Sequence, residues 1–191
     1  MSFVPVLTML WTVALLLLAF SAATDLRDRI IFNEAVVLIA AVGIALGLVS
    51  RPGSMWVSLP ISFALLCSLW PLVHYDFLGG GDAKLIAAVT LLVPPDRVGS
   101  LLIEIALAGG VLSALYLAAY HTLQRMRVAQ GNASQVVDIW PTRGLANVLR
   151  NERSRIAAEN SVPYALAVLG GVGVHIAVEL YRCLSAISCS L

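Results

Sequence analysis

Apolar residues in this chain fall into long runs separated by short polar breaks. The runs cover residues 4–23, 35–49, 55–73, 85–93, 98–120 and 162–181. A helix that crosses a bilayer needs roughly 17–25 mostly apolar residues. The pattern therefore predicts an all-α membrane protein with about six transmembrane helices. The fourth run is short: from Asp82 to Val93 there are 12 residues, about 18 Å of helix at 1.5 Å per residue. Pro94-Pro95 ends it, because proline cannot continue the hydrogen-bond ladder. Such a helix cannot cross a hydrocarbon core of about 30 Å alone. Either the glycines before it continue the path, or this end lies below the membrane surface in a wet cavity. A broken or short fourth helix is the expectation.

Composition agrees with this picture. The chain has 191 residues, 60% hydrophobic and 12% charged, where soluble domains carry about a quarter charged residues. A net charge of +1 offers no basic surface for nucleic acid. Cys67, Cys183 and Cys189 form no CxxC pair and read as small apolar filler, neither a zinc site nor a disulfide framework. The first run competes with a cleaved signal peptide. No Lys or Arg precedes it, and it is longer than a usual signal core, so it reads as a span.

Basic residues fix the orientation. Nine of the twelve Lys and Arg lie in or beside the breaks after the first, third and fifth runs, leaving Arg51, Arg97 and Arg182 for the other side. The positive-inside rule then places those breaks in the cytosol and the N-terminus outside; the membrane expected is the inner (cytoplasmic) membrane of a cell. The only long polar stretch, 121–161, is expected to be a cytosolic loop within one membrane-embedded domain, 1–191. Inside it, LANVLRNERSRIAAEN sets Leu145, Val148, Leu149 and Ile156 against arginines at helical spacing. This segment fits a helix on the inner membrane surface and a plain solvated helix equally well. Asn132-Ala133-Ser134 matches a glycosylation sequon, which has no consequence on the cytosolic side. Small residues recur inside the spans, with Gly43 and Gly47 at GxxxG spacing, Gly109-Gly110, and Gly170, Gly171 and Gly173. They signal close helix packing and no particular function.

Two acidic motifs fall on the predicted cytosolic side. TDLRDRIIFN, 24–33, follows the first run, and FLGGGDAK, 77–84, precedes the short fourth helix. Asp25 and Asp82 can thus meet at shallow depth, where ionisable groups are costly and mark function. Two close carboxyls share one proton, so one serves as base toward a water and the other as acid toward a carbonyl. Gly79, Gly80 and Gly81 would let an extended peptide approach the backbone. The plainer alternatives are that Asp82 caps the fourth helix and that Asp25 pairs with Arg29 at the interface. Asp76 and Asp28 rank below the pair. His74, His121, Glu104 and His175 do not converge as metal ligands need to, so no metal and no cofactor is expected. Glu104 is expected to reach the interface, and His175 to be a satisfied polar residue.

GGGDAK, 79–84, resembles the GxGDxK signature of type IV prepilin peptidases, a family of membrane aspartic endopeptidases. DLRDRIIFN, 25–33, resembles that family's first aspartate motif, and VPYALAVLGG, 162–171, its late Pro-Tyr motif. The resemblance implies that Asp25 and Asp82 are catalytic, and that Gly79, Gly80, Gly81, Lys84, Asn33, Pro163 and Tyr164 shape the site. It implies a prepilin or pilin-like substrate whose short basic leader is cut just before an apolar helix, with membrane lipid around it and pilus assembly proteins as possible partners. Phe32 stands where the family commonly has proline. The chain lacks the CxxC-bearing insert of the longer members, which also methylate the new N-terminus. It is thus similar to the short branch that processes tight-adherence (Flp-type) pilins or archaeal class III signal peptides, and cleavage without methylation is expected. A proton-coupled transporter also places carboxylates at membrane depth, but usually shows inverted repeats with paired broken helices. A non-enzymatic assembly factor accounts for the small residues and leaves the acid motifs unexplained.

Overall fold

A computed structural model describes residues 3–129 and 163–188. Among these residues are six α-helices: α1 (Phe3–Asp28), α2 (Asn33–Ser50), α3 (Met55–His74), α4 (Gly80–Thr90), α5 (Val98–Ala129) and α6 (Tyr164–Ser188). Short 3-10 turns, Pro52–Ser54 and Pro95–Arg97, lead into α3 and α5. No strand occurs among the described residues. Every helix except α4 is long and apolar enough to cross a membrane. At 11 residues, α4 extends only about 16 Å. The fold is an all-α, multi-pass membrane architecture. Five helices can span, and the sixth run is the short fourth one that its length and prolines predicted.

The helix limits differ from the apolar runs in two useful ways. α1 continues past its run to Asp28, so Asp25 sits in a helical turn and not in a loop. α5 continues past Tyr120 to Ala129, so part of the expected polar loop is helical. The rest of that loop, with the 145–160 amphipathic segment, lies outside the described residues.

Packing explains why α4 carries so few polar residues. α1 packs between α2 and α6, α5 lies along α6, and α2 and α3 flank α4, which also touches α6. Ala83, Leu85 to Thr90 and then Leu91, Leu92 and Val93 are all buried. The shortest helix is therefore the centre of the core, joined by Leu18, Ile39, Leu101, Ile105 and Val168. Its C-terminal carbonyls end inside protein, where each unmatched polar group is costly. Side chains supply the partners. Arg51 Nη2 donates to the Leu92 carbonyl at 3.0 Å and the Leu91 carbonyl at 3.4 Å. The hydroxyls of Ser62 and Thr90 donate to the Ala87 carbonyl at 2.6 and 2.8 Å.

Two glycines permit the closest helix approaches. A Cβ at Gly43 would lie 2.8 Å from Leu91 Cβ, and one at Gly171 would lie 2.6 Å from Ile105 Cα. The small-residue spacing in the sequence thus marks real α2–α4 and α5–α6 contacts. Glu104 does not reach out to an interface as expected. Its Oε2 lies 2.7 Å from His175 Nδ1, a largely buried pair between α5 and α6. Burial without a partner would be prohibitive for either group, which is why the two helices bring them together. Nearby, Glu179 pairs with Arg97 at 3.1 Å and Arg182 at 2.6 Å. A mostly apolar cavity of about 570 Å³ opens here, lined by Trp11, Leu15 and Leu180 beside these ion pairs.

Candidate active site

At the other end of α4 the two acidic motifs converge. α1 closes on a left-handed residue: Arg29 has φ 57°, and its N–H donates to the Asp25 carbonyl at 3.0 Å. Such a bond uses up a helix-end carbonyl and turns the chain. The chain then runs through Ile30 and Ile31 to Phe32, which caps α2 with φ −69° and ψ 131°. A φ near −65° is the angle that proline enforces. This link therefore holds a proline-like geometry with phenylalanine in place, helped by stacking of Phe32 on Phe20 at 6.3 Å.

The α4 start is built from glycine. Gly79 is the N-cap, Gly80 the first helical residue and Asp82 the third. Asp82 is thus not the cap. Instead its carboxyl reaches back to the Gly79 backbone N–H, which is the side-chain half of a capping box. A Cβ at Gly79 would fall 2.7 Å from Asp82 Oδ2, and one at Gly81 only 3.1 Å from Ile31 Cβ. A side chain at the first position would displace the carboxyl from its place. The third brings α4 close to the α1–α2 link, a contact tightened when Lys84 Nζ donates to Asn33 Oδ1 at 3.2 Å.

Asp25 is 6% exposed. Its Oδ2 accepts the backbone N–H of Ala165 at 3.0 Å. Ala165 lies in the first turn of α6, behind the buried Pro163. N–H groups of a first turn have no partner within their own helix, and that end of a helix favours negative charge. A carboxylate borne on α1 fills the role a local cap would fill. Pro163 suits the entry, since its missing N–H costs nothing there.

The carboxyls of Asp25 and Asp82 lie near enough for the charge of one to bear on the other. Burial is the first cause that pushes the Asp82 carboxyl up to about 6, and the neighbouring Asp25 charge is the second. The Gly79 N–H and the Arg29 charge oppose them. Asp82 also acts on the Tyr164 phenol, which is half-buried at the start of α6. The structure therefore gathers Asp25, Asp82, Gly79, Gly80, Gly81, Lys84, Asn33, Pro163 and Tyr164 around one end of α4. Two further contributors were not singled out for the site from sequence. Arg29 was counted for orientation and as a partner of Asp25, while its charge bears on Asp82. The Ala165 group is a backbone N–H, which no residue type reveals.

The competing groups stay apart. Asp28 is exposed beside Arg27, 4.0 Å away. Asp76 is exposed, with φ 59°. His74 and His121 lie against Tyr75 and Tyr120, with ring centroids 5.5 and 5.6 Å apart. Among the described residues no three His, Cys, Asp or Glu side chains group as metal ligands would. Two adjoining carboxyls in unlike surroundings can divide acid and base roles without a metal.

No curated protein and no solved structure matched the chain. A family model did: that of the type IV leader peptidase family, over residues 12–118. The match spans α1 to most of α5 and includes both acid motifs. With more than half the chain matched, and with its helices suited to a membrane, this protein belongs to the type IV leader peptidase family.

Proposed function

We propose that this peptidase is a membrane aspartic endopeptidase that removes the short basic leader from type IV, Flp-like prepilins or pilin-like proteins. Cleavage takes place at the cytosolic face of the inner membrane and leaves the new N-terminus unmethylated. The observation that carries the reading is the meeting of Asp25 and Asp82, each held differently. Asp25 accepts an N–H at the start of α6 and keeps its carboxylate oriented. Asp82 is the partner on which the shared proton rests, because burial and the Asp25 charge both disfavour its ionisation.

The chemistry follows from that division. A water between the carboxyls gives one proton to Asp25 while its oxygen attacks the scissile carbonyl carbon. The carbonyl π electrons move to oxygen, which takes the proton of Asp82. Collapse of the tetrahedral intermediate expels the amide nitrogen, which leaves with the proton held on Asp25, and Asp82 recovers its own. The balance is peptide plus water to acid plus amine. The absence of CxxC from the sequence supports the short, non-methylating branch.

The test is cleavage of a Flp-type prepilin by membranes carrying wild type, Asp82→Asn, Asp25→Asn and the double variant at matched levels. Asparagine keeps the size and an acceptor oxygen but cannot return a proton. Each single variant should lose about 10²–10⁴-fold or more in kcat, and the double variant should be no worse, since the pair acts as one unit. Near wild-type cleavage by Asp82→Asn sinks the reading. An inactive Asp76→Asn beside an active Asp82→Asn would mean that the wrong acids have been paired.

A further inference from the structure

An acid pair moves protons, but the attacked carbonyl oxygen also gathers charge, and a carbonyl oxygen has two lone pairs to satisfy. Asp82 serves one of them. A second donor beside the pair, with a hydrogen not committed elsewhere, would serve the other. Lys84 is exposed, with its ammonium turned toward Asn33, and the Ala165 N–H is tied to Asp25. Tyr164 differs. It precedes the residue whose N–H holds Asp25, which seats it at the acid end of α6, and the Asp82 charge bears on its half-buried phenol. Its hydroxyl donates to no other group among the described residues. Its ring is seated against α5 at Gly109, with Cε2 3.9 Å from where a Cβ would stand. The ring is thus packed while the hydroxyl is uncommitted.

We propose that the Tyr164 hydroxyl is a catalytic group of this site: it donates a hydrogen bond to the scissile carbonyl oxygen as that oxygen becomes negative. The inference rests on the peptidase reading and assigns it an oxyanion donor. When water adds to the carbonyl carbon, the displaced π pair comes to rest on oxygen between the Asp82 proton and the Tyr164 O–H. The phenol keeps its own proton throughout, so the balance of the reaction is unchanged. A donor placed for the transition state and not for the ground state raises kcat and leaves KM alone.

Tyr164→Phe deletes the hydroxyl and keeps the ring that packs on α5. Steady-state cleavage of a Flp-type prepilin by purified protein in liposomes is compared for wild type, Tyr164→Phe and Asp82→Asn. Rates are expressed per folded site, titrated with a peptide inhibitor that mimics the uncleaved substrate. Poor folding then lowers the site count and not the rate. The expected result is a kcat loss of about 10²–10³-fold for Tyr164→Phe, as for other single oxyanion donors, with KM within about twofold. A statine-type inhibitor, which carries the tetrahedral hydroxyl, should weaken in parallel with kcat. Tyr164→Phe cleaving like wild type while Asp82→Asn is inactive overturns the assignment and leaves the acid pair standing. A raised KM with unchanged kcat overturns it too, since the hydroxyl would then only bind substrate. If Asp82→Asn cleaves like wild type, the peptidase reading falls and this assignment falls with it.

Discussion

The backbone N–H of Ala165 and the side chain of Asp25 meet at 3.0 Å across 140 positions of chain. One hydrogen bond thus completes the start of α6 and orients an acid on α1. It also makes the site depend on three helices at once. Asp25 comes with α1, Asp82 with α4, and the group that steadies Asp25 with α6. Disturbing α4 or α6 far from the acids should therefore reach the chemistry.

The first prediction concerns pH. The pair needs one proton, and Asp82 holds it up to about pH 6. Cleavage should decline as pH rises through that region, giving kcat/KM an alkaline limb there. Stability should follow the same group. Asp82 titrates near 3.8 in the unfolded chain and at about 6 in the fold, so the fold binds the proton more tightly. Its contribution is full below about pH 4 and is lost as pH climbs to about 6. Thermal midpoints in detergent between pH 4 and 7 should drop with rising pH for wild type. The drop should be smaller for Asp82→Asn; equal slopes for the two proteins would contradict the assignment.

Gly43→Ala tests the seat of α4. The added Cβ would sit 2.8 Å from Leu91 Cβ and 3.0 Å from the Leu91 carbonyl carbon. Backbone cannot yield as a flexible side-chain tip would. We expect a loss of about 1–3 kcal/mol, and a lower kcat from the folded fraction because α4 carries Asp82. Gly53→Ala is the matched control, since a Cβ there meets nothing within 4 Å. Denaturation in detergent micelles, followed by circular dichroism, makes the comparison.

Arg51→Ala tests the other end of the same helix. It strips the Leu91 and Leu92 carbonyls of their donor and should cost about 1–3 kcal/mol, the usual penalty for a buried group left unmatched. Arg51→Lys should recover part of this, because an ammonium can still donate to one carbonyl but lacks the guanidinium fork. If alanine and lysine variants unfold at the wild-type temperature, the carbonyls are satisfied in another way.

Orientation and end product can be read separately. A reporter fused after residue 135 should be cytosolic, given the distribution of Lys and Arg along the chain. A reporter signal from the outer compartment would reverse the proposed active face. Mass spectrometry of pilin released by the purified enzyme should show a free amino terminus. A methyl group found there with no second enzyme present would remove the non-methylating assignment.

Much of this architecture was legible in the sequence, because its causes are local. Apolar run length dictates which segments can span, Pro94-Pro95 stops the fourth helix, and the glycines before Asp82 leave space at its start. The acid motifs, too, announced themselves by charge in an apolar setting. What only the tertiary structure decided are the pairings between distant segments. No local rule makes the shortest helix the most buried, joins Glu104 to His175, or sends Arg51 to the carbonyls of Leu91 and Leu92. These follow from helices packing around α4, where each buried polar group must find a partner wherever the fold offers one. The partner of Asp25 was the least legible, because a backbone N–H is the same at every residue but proline. Only the placement of α6 against α1 turned the N–H of Ala165 into a group that bears on the chemistry.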